Sequence, residues 1–241
     1  MLHNGSHMET PAARPAFYPL FLSLGGMRCL VAGLGQVGRR KLEGLLACGP
    51  TFVLVLDIDE PSPGDTALQD LLRQGNVRFE RRACVENDMQ GMALVFAATG
   101  NDAENRRIAA ICRRNGVLCN CASAPEEGSF QVPAVARKTP LAAALSTGGA
   151  SPALARRWKG ELACWLAPRA RMACLMGRLR PLVLALGGET GQNTELFRKL
   201  AASPLQQWLE EKEMENCRQW LLAELPTELH AHIAELLYDL P

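Results

Sequence analysis

Apolar residues come in short unbroken blocks over the first half of the chain and at helical spacing over much of the second. Cys29-Leu30-Val31-Ala32 is apolar throughout and runs into glycine; 52–56, 94–98 and 117–121 repeat the pattern. Strands that are apolar at every position, rather than at every second one, are covered on both faces of their sheet. Between the blocks the spacing changes to that of helices. Leu42, Leu45 and Leu46 fall on one face of 39–48, which Gly49-Pro50 ends. Ile108, Ile111 and Cys112 do the same in 105–115, with Gly116 as the stop. Buried strands alternating with amphipathic helices predict an α/β fold, a doubly wound parallel sheet.

The pattern changes after Cys121. Two extended runs, 129–135 and 141–146, flank Arg137-Lys138-Thr139-Pro140 and predict an antiparallel pair. Ser151-Pro152 supplies an N-cap followed by proline at the first helical position. From there onward the chain reads as helical, with breaks near Gly187-Gly188 and Gly191.

Composition narrows the classes of partner. The 241 residues are 48% hydrophobic with a formal net charge of +1, so no overall sign directs the chain to nucleic acid or a membrane surface. No apolar run approaches the roughly 18–20 residues that span a bilayer. Nine cysteines, an odd number with no Cys-x-x-Cys among them, read as free and mostly buried thiols of a reducing, cytoplasmic protein rather than as a disulfide frame or zinc knuckle. Gly5-Ser6-His7 before Met8 reads as the remnant of a cleaved affinity tag, so 1–7 are set apart from the fold. Charge is uneven locally. Arg137, Lys138, Arg156, Arg157, Lys159, Arg169, Arg171, Arg178 and Arg180 face only Glu161 in their stretch, and Glu210, Glu211, Glu213 and Glu215 follow. These are either complementary solvated helix faces or a basic wall for a polyanionic ligand.

Gly33-Leu34-Gly35-Gln36-Val37-Gly38 matches Gly-x-Gly-x-x-Gly in the setting that gives the pattern meaning: it follows an apolar strand and opens an amphipathic helix. Gly33 allows the tight turn, Gly35 lets a pyrophosphate approach the backbone, and Gly38 lets the helix pack on the strand. The helix N-terminus adds unpaired N–H groups and partial positive charge. Asp57 ends the next strand about 20 residues on, where a carboxylate accepts hydrogen bonds from ribose hydroxyls and repels a 2′-phosphate. The cofactor expected is therefore NAD, with Asp59 a rival for the same role. Ala97-Ala98-Thr99-Gly100 ends a later strand at the same edge with small residues.

Taken in order, a longer series carries a resemblance. Tyr18-Pro19-Leu20-Phe21 leads into the glycine loop, and Arg40-Lys41 follow it. Then come Ala98-Thr99 with Asn101-Asp102 and Asn105, Cys119-Asn120, Ala124-Pro125, Ser129-Phe130 and Pro133. The series closes on Ser146-Thr147-Gly148-Gly149-Ala150-Ser151-Pro152. From about Phe17 to Arg157 this resembles the precorrin-2 dehydrogenase domain of siroheme synthases; beyond that only a helical tail is similar. The resemblance implies a Rossmann-like NAD domain over 8–122, central dimerisation strands over 123–152 and a helical tetrapyrrole-side domain over 153–241. It implies a homodimer that oxidises precorrin-2 to sirohydrochlorin. Gln36, Val37, Asp57 and Ile58 are then expected at the adenosine half of NAD and Thr99 nearer the reacting end. Asn120, Thr147, Arg156 and Arg157 are expected toward the substrate, whose eight carboxylates suit the planar fork of arginine.

One position departs from the family. The aspartate it usually places before Ala-Pro, assigned to catalysis and to metal insertion, is Ser123 here. A serine at its ordinary pKa is no general base unless another base activates it; Glu126 and Glu127 lie close by in sequence. Hydride transfer to a held nicotinamide needs geometry more than an acid, whereas metal insertion must strip two pyrrole protons. His230 and His232, two residues apart on a helix, would face different sides, so no protein metal site is expected. Oxidation with little chelation is the primary expectation. A bifunctional dehydrogenase and ferrochelatase, or a non-catalytic NAD- or haem-sensing module, are the alternatives.

Overall fold

The computed structural model describes residues 17–241, so the tag-like segment 1–7 lies outside the described residues. The chain divides between Val132 and Pro133 into two compact units.

The first unit is the expected doubly wound sheet. Five parallel strands, β1 (Arg28–Ala32), β2 (Phe52–Asp57), β3 (Val77–Arg81), β4 (Leu94–Ala97) and β5 (Leu118–Cys121), lie in the order β3-β2-β1-β4-β5. Helices α1 (Gln36–Leu46), α2 (Thr66–Leu72) and α3 (Asp102–Arg114) connect them. Successive residues of a strand point to opposite faces, and both faces here are filled. Leu30, Leu54, Leu56 and Val95 join Ile108 and Cys112 on one side. Cys29, Val31, Val53, Val55 and Phe96 join Leu42 and Leu45 on the other. Each such side chain contributes about 1.5–3 kcal/mol of transfer free energy, which is why the four apolar blocks became strands of this sheet. The chain runs outward from β1 to β3 and then returns to β4 on the far side of β1. This reversal opens a crevice beyond the C-terminal ends of β1 and β4.

Two elements went unread in the sequence. β3 is Val-Arg-Phe-Glu-Arg, an edge strand in which apolar and charged residues alternate, and α2 is only 7 residues long. The run 129–135 is also shorter as a strand than expected. Ser129 is drawn to β5 instead, its Oγ accepting the Cys119 N–H at 2.8 Å, and pairing begins at Ala134.

In the second unit β6 (Ala134–Lys138) and β7 (Leu141–Leu145) form the antiparallel pair, in register from Ala134 with Leu145 to Lys138 with Leu141. Helix α4 (Pro152–Ala185) follows, its N-cap Ser151 accepting the Leu154 N–H at 3.2 Å. It runs for 34 residues through Pro168 and Pro181, whose missing N–H groups leave two turns of the helix without their usual bond. Gly187, with φ +71°, stands just past its end. Leu175, Leu179 and Val183 of α4 then pack against α5 (Thr190–Ala201), α6 (Leu205–Glu211), α7 (Met214–Glu224) and α8 (Ile233–Leu237).

Candidate dinucleotide site

The turn from β1 into α1 is dictated by what cannot fit there. Gly33 has φ +95°, and a Cβ on it would stand 2.3 Å from the Ala98 carbonyl oxygen at the end of β4. A Cβ on Gly38 would meet the Gly33 oxygen at 1.8 Å, so the first turn of α1 lies directly on the loop. Gly35 differs: nothing lies within 4 Å of its would-be Cβ. It is the N-cap of α1, exposed, and no side chain caps the helix. The bare backbone with its N–H groups and helix-dipole charge suits a phosphate.

A cavity of about 490 Å³ opens beside this turn, lined by Gly33, Gly35, Asp57, Ile58, Asp59, Thr99 and neighbours. Five of the eight residues expected at the cofactor thus line one space. Gln36 and Val37 stand exposed on the first turn of α1, and Gly38 is buried beneath it. Asp57 holds the turn as well as edging the cavity. Its Oδ2 accepts the Leu34 N–H at 2.5 Å and its Oδ1 the Asp59 N–H at 3.0 Å. Each oxygen keeps a further lone pair for a hydroxyl donor.

The end of β3 supplies a wall that sequence reasoning missed: Arg82, Ala83 and Cys84. Arg82 is the one cation among the lining residues, and its fork is fully engaged. Nη1 and Nη2 each donate to Asp88 at 2.8 Å and Nε to Glu80 at 2.7 Å. The hydrogen bonds it donates to Asp88 raise the Arg82 pKa further above its ordinary value. Burial alone would push Asp88 up, but Arg82 and the Val85 N–H more than offset this and hold its carboxyl below the usual range. Burial pushes the Cys84 thiol up to about 12, which keeps it protonated and inert. No motif could have flagged this wall; its three members are consecutive residues in a stretch without glycine or proline signals.

Thr99 sits where β4 ends, clamped by Asn105 of α3: Thr99 N–H and Oγ1 both donate to Asn105 Oδ1, at 2.9 and 2.7 Å. Ser123, exposed just after β5, accepts from Asn105 Nδ2 at 3.1 Å. Glu126 and Glu127 point to Arg106, and Glu127 also pairs with Arg113 at 2.7 Å. Asn120 is buried in β5 with its amide donated to the Phe130 carbonyl at 3.1 Å.

The remaining expected residues belong to the second unit. Thr147 Oγ1 accepts the Ser151 N–H at 3.3 Å, Arg157 pairs with Glu161 at 3.1 Å, and Arg156 is exposed. Several arginines of the basic stretch are used inside this unit. Arg171 donates to the Leu209 and Pro241 carbonyls, Arg178 to those of Glu235, Leu236, Tyr238 and Asp239, and Arg180 lies over Phe197. His230 and His232 fall in a 3-10 turn, Thr227–His232, and His230 Nε2 meets the Leu225 carbonyl at 3.1 Å.

Comparison with known proteins places the chain. The family described as "Putative NAD(P)-binding" matches residues 20–134, which carry all five parallel strands and the cavity. A siroheme synthase of Methylococcus capsulatus is 32% identical over 146 residues, 61% of this chain and 30% of that protein. Siroheme synthase 1 of Halorhodospira halophila is 34% identical over 167 residues, 69% of this chain and 34% of that protein. Over this stretch the chain is similar to siroheme synthases. It spans about a third of the length of these siroheme synthases. A solved structure described as SirC, precorrin-2 dehydrogenase, shares the fold with a TM-score of 0.68 at 23% identity, covering 84% of this chain and all of that one. The family match over 20–134 includes the glycine loop, Asp57, Thr99 and Ser123. No helix among the described residues is long and apolar enough to cross a membrane.

Proposed function

We propose that this chain oxidises precorrin-2 to sirohydrochlorin with NAD. The observation that carries the reading is the bare Gly35 backbone beside a cavity edged by the Asp57 carboxylate. Gly33, Gly35 and the first turn of α1 hold the pyrophosphate, while Asp57 and Ile58 take the adenosine side and Thr99 the reacting side. The nicotinamide ring, when bound, supplies the hydride acceptor. The chain's task is then to orient the two partners and to let one proton leave, to water or to a nearby group.

NAD is favoured over NADP for two reasons. Asp57 repels a 2′-phosphate, and Arg82, the cation on the cavity wall, is already neutralised by Asp88 and Glu80. Anaerobic assay of precorrin-2 oxidation, followed as NADH absorbance alongside the product spectrum, should give a rate with NAD at least about tenfold that with NADP. Equal rates would remove the argument from Asp57. The same assay with ferrous or cobaltous ion should show metal insertion near the spontaneous rate, since no carboxylate stands at position 123, and Ser123→Asp should raise it. Strong insertion by the wild type would favour a bifunctional enzyme. The homodimer is proposed from the family resemblance.

A further inference from the structure

We infer that Ser123 acts as a hydrogen-bond donor to the reacting ligand, not as a base, and that Asn105 is the positioning residue that turns its hydroxyl outward. Asn105 is 1% exposed, and its amide makes four hydrogen bonds. Oδ1 accepts from the N–H and the hydroxyl of Thr99. Nδ2 donates to the Thr99 carbonyl at 3.1 Å and to Ser123 Oγ at 3.1 Å. The backbone fixes which end of the amide is which. The Thr99 N–H can only donate and its C=O only accept, so a flipped amide would oppose both. Ser123 Oγ therefore faces an N–H and accepts.

That decides where the serine proton goes. Ser123 Oγ makes no other hydrogen bond among the described residues, and the residue is exposed at the C-terminal end of β5, the end of the sheet at which the cavity opens. Its O–H is left to an acceptor outside the chain. An oxygen that already accepts from an amide is less basic and a stronger donor than a free hydroxyl. The group suits a carbonyl-type oxygen, which either a tetrapyrrole carboxylate or the nicotinamide carboxamide presents. Asn105 couples this donor to Thr99, so one buried side chain sets both polar groups at the ends of β4 and β5.

The inference rests on the proposed reaction for its ligands, and equilibrium binding separates the two. Wild type, Ser123→Ala and Ser123→Thr are titrated with NADH and, separately, with sirohydrochlorin, by fluorescence. Ser123→Ala should bind one of the two about tenfold more weakly and the other unchanged, which names the acceptor, while Ser123→Thr, keeping the O–H, should bind as wild type. In turnover, KM for the matching substrate, NAD or precorrin-2, should rise with little change in kcat or in its pH profile between pH 6 and 9. Asn105→Ala should weaken the same ligand, and adding Ser123→Ala to it should cost nothing more. If Asn105→Ala does not fold at the assay temperature, the two Ser123 variants decide. Unchanged binding of both ligands by Ser123→Ala would overturn the inference, as would a fall in kcat with the altered pH dependence that loss of a base gives. A wild type that binds both ligands but forms no NADH from precorrin-2 would sink the proposed reaction and leave the Ser123 comparison standing. Binding of neither would overturn both.

Discussion

In the α/β unit the N-terminus of α1 is left open, whereas in the helical unit the C-termini of α6 and α8 are closed by the chain's own arginines. The N-terminus of α1 begins at an uncapped Gly35 with free space around it. The C-terminal carbonyls of α6 and α8 are instead taken by Arg171 and Arg178, from 38 to 61 residues away. Both arrangements answer the same need, since the last groups of a helix have no partner within it. An open terminus leaves its partial charge to a ligand; a closed one spends it on architecture. Counting charges along the chain cannot tell these apart, and the basic stretch shows the consequence.

The largest effect should come from filling the open end. Gly35→Asp places a carboxylate against the pyrophosphate and should lower NAD-dependent turnover by about three orders of magnitude. The melting temperature should hardly move, because nothing occupies the space. Gly38→Ala should do the reverse: with a Cβ 1.8 Å from the Gly33 oxygen, it should cost about 3 kcal/mol in denaturant unfolding. Full activity in Gly35→Asp would break the comparison outright. Next in size, Arg178→Ala should destabilise by about 2 kcal/mol by stranding the carbonyls at the end of α8, with KM for precorrin-2 unchanged. A raised KM with unchanged stability would return Arg178 to the ligand-binding role first expected of that stretch.

The smallest effect is an acid one and sharpens the β3 wall. Asp88 is held below its ordinary pKa in the fold, so its contribution is fully present above the unfolded value near 4 and is lost as pH falls through the folded value. Unfolding midpoints compared at pH 7 and pH 3 should therefore fall less in Asp88→Asn than in the wild type. An identical fall in both would mean that the Arg82 pair adds nothing at neutral pH.

Much of the first unit was legible because its physics is local. Blocks such as Leu30-Val31-Ala32 must be covered on both faces, and glycines before a helix have few other uses. β3 escaped because an edge strand alternates and is only half covered; with it went Arg82 and the wall it builds. Asn105 could be seen as part of a resemblance but not as a clamp, since nothing in the sequence says that α3 lays it between Thr99 and Ser123. In the second unit the helical character was plain, yet the partners of Arg171 and Arg178 depend on how far helices fold back.

That folding back has a bearing on synthesis. The last strand of the parallel sheet ends at Cys121, so the α/β unit can close while much of the chain is still being made. Helix α4 is finished at Ala185, but Arg171 and Arg178 find their acceptors only at residues 209 and 235–241. Until those residues leave the ribosome, Leu175, Leu179 and Val183 of α4 lack part of their cover. The growing chain thus carries a finished dinucleotide fold ahead of a partly covered helix, and that interval is when the nascent protein is most open to aggregation.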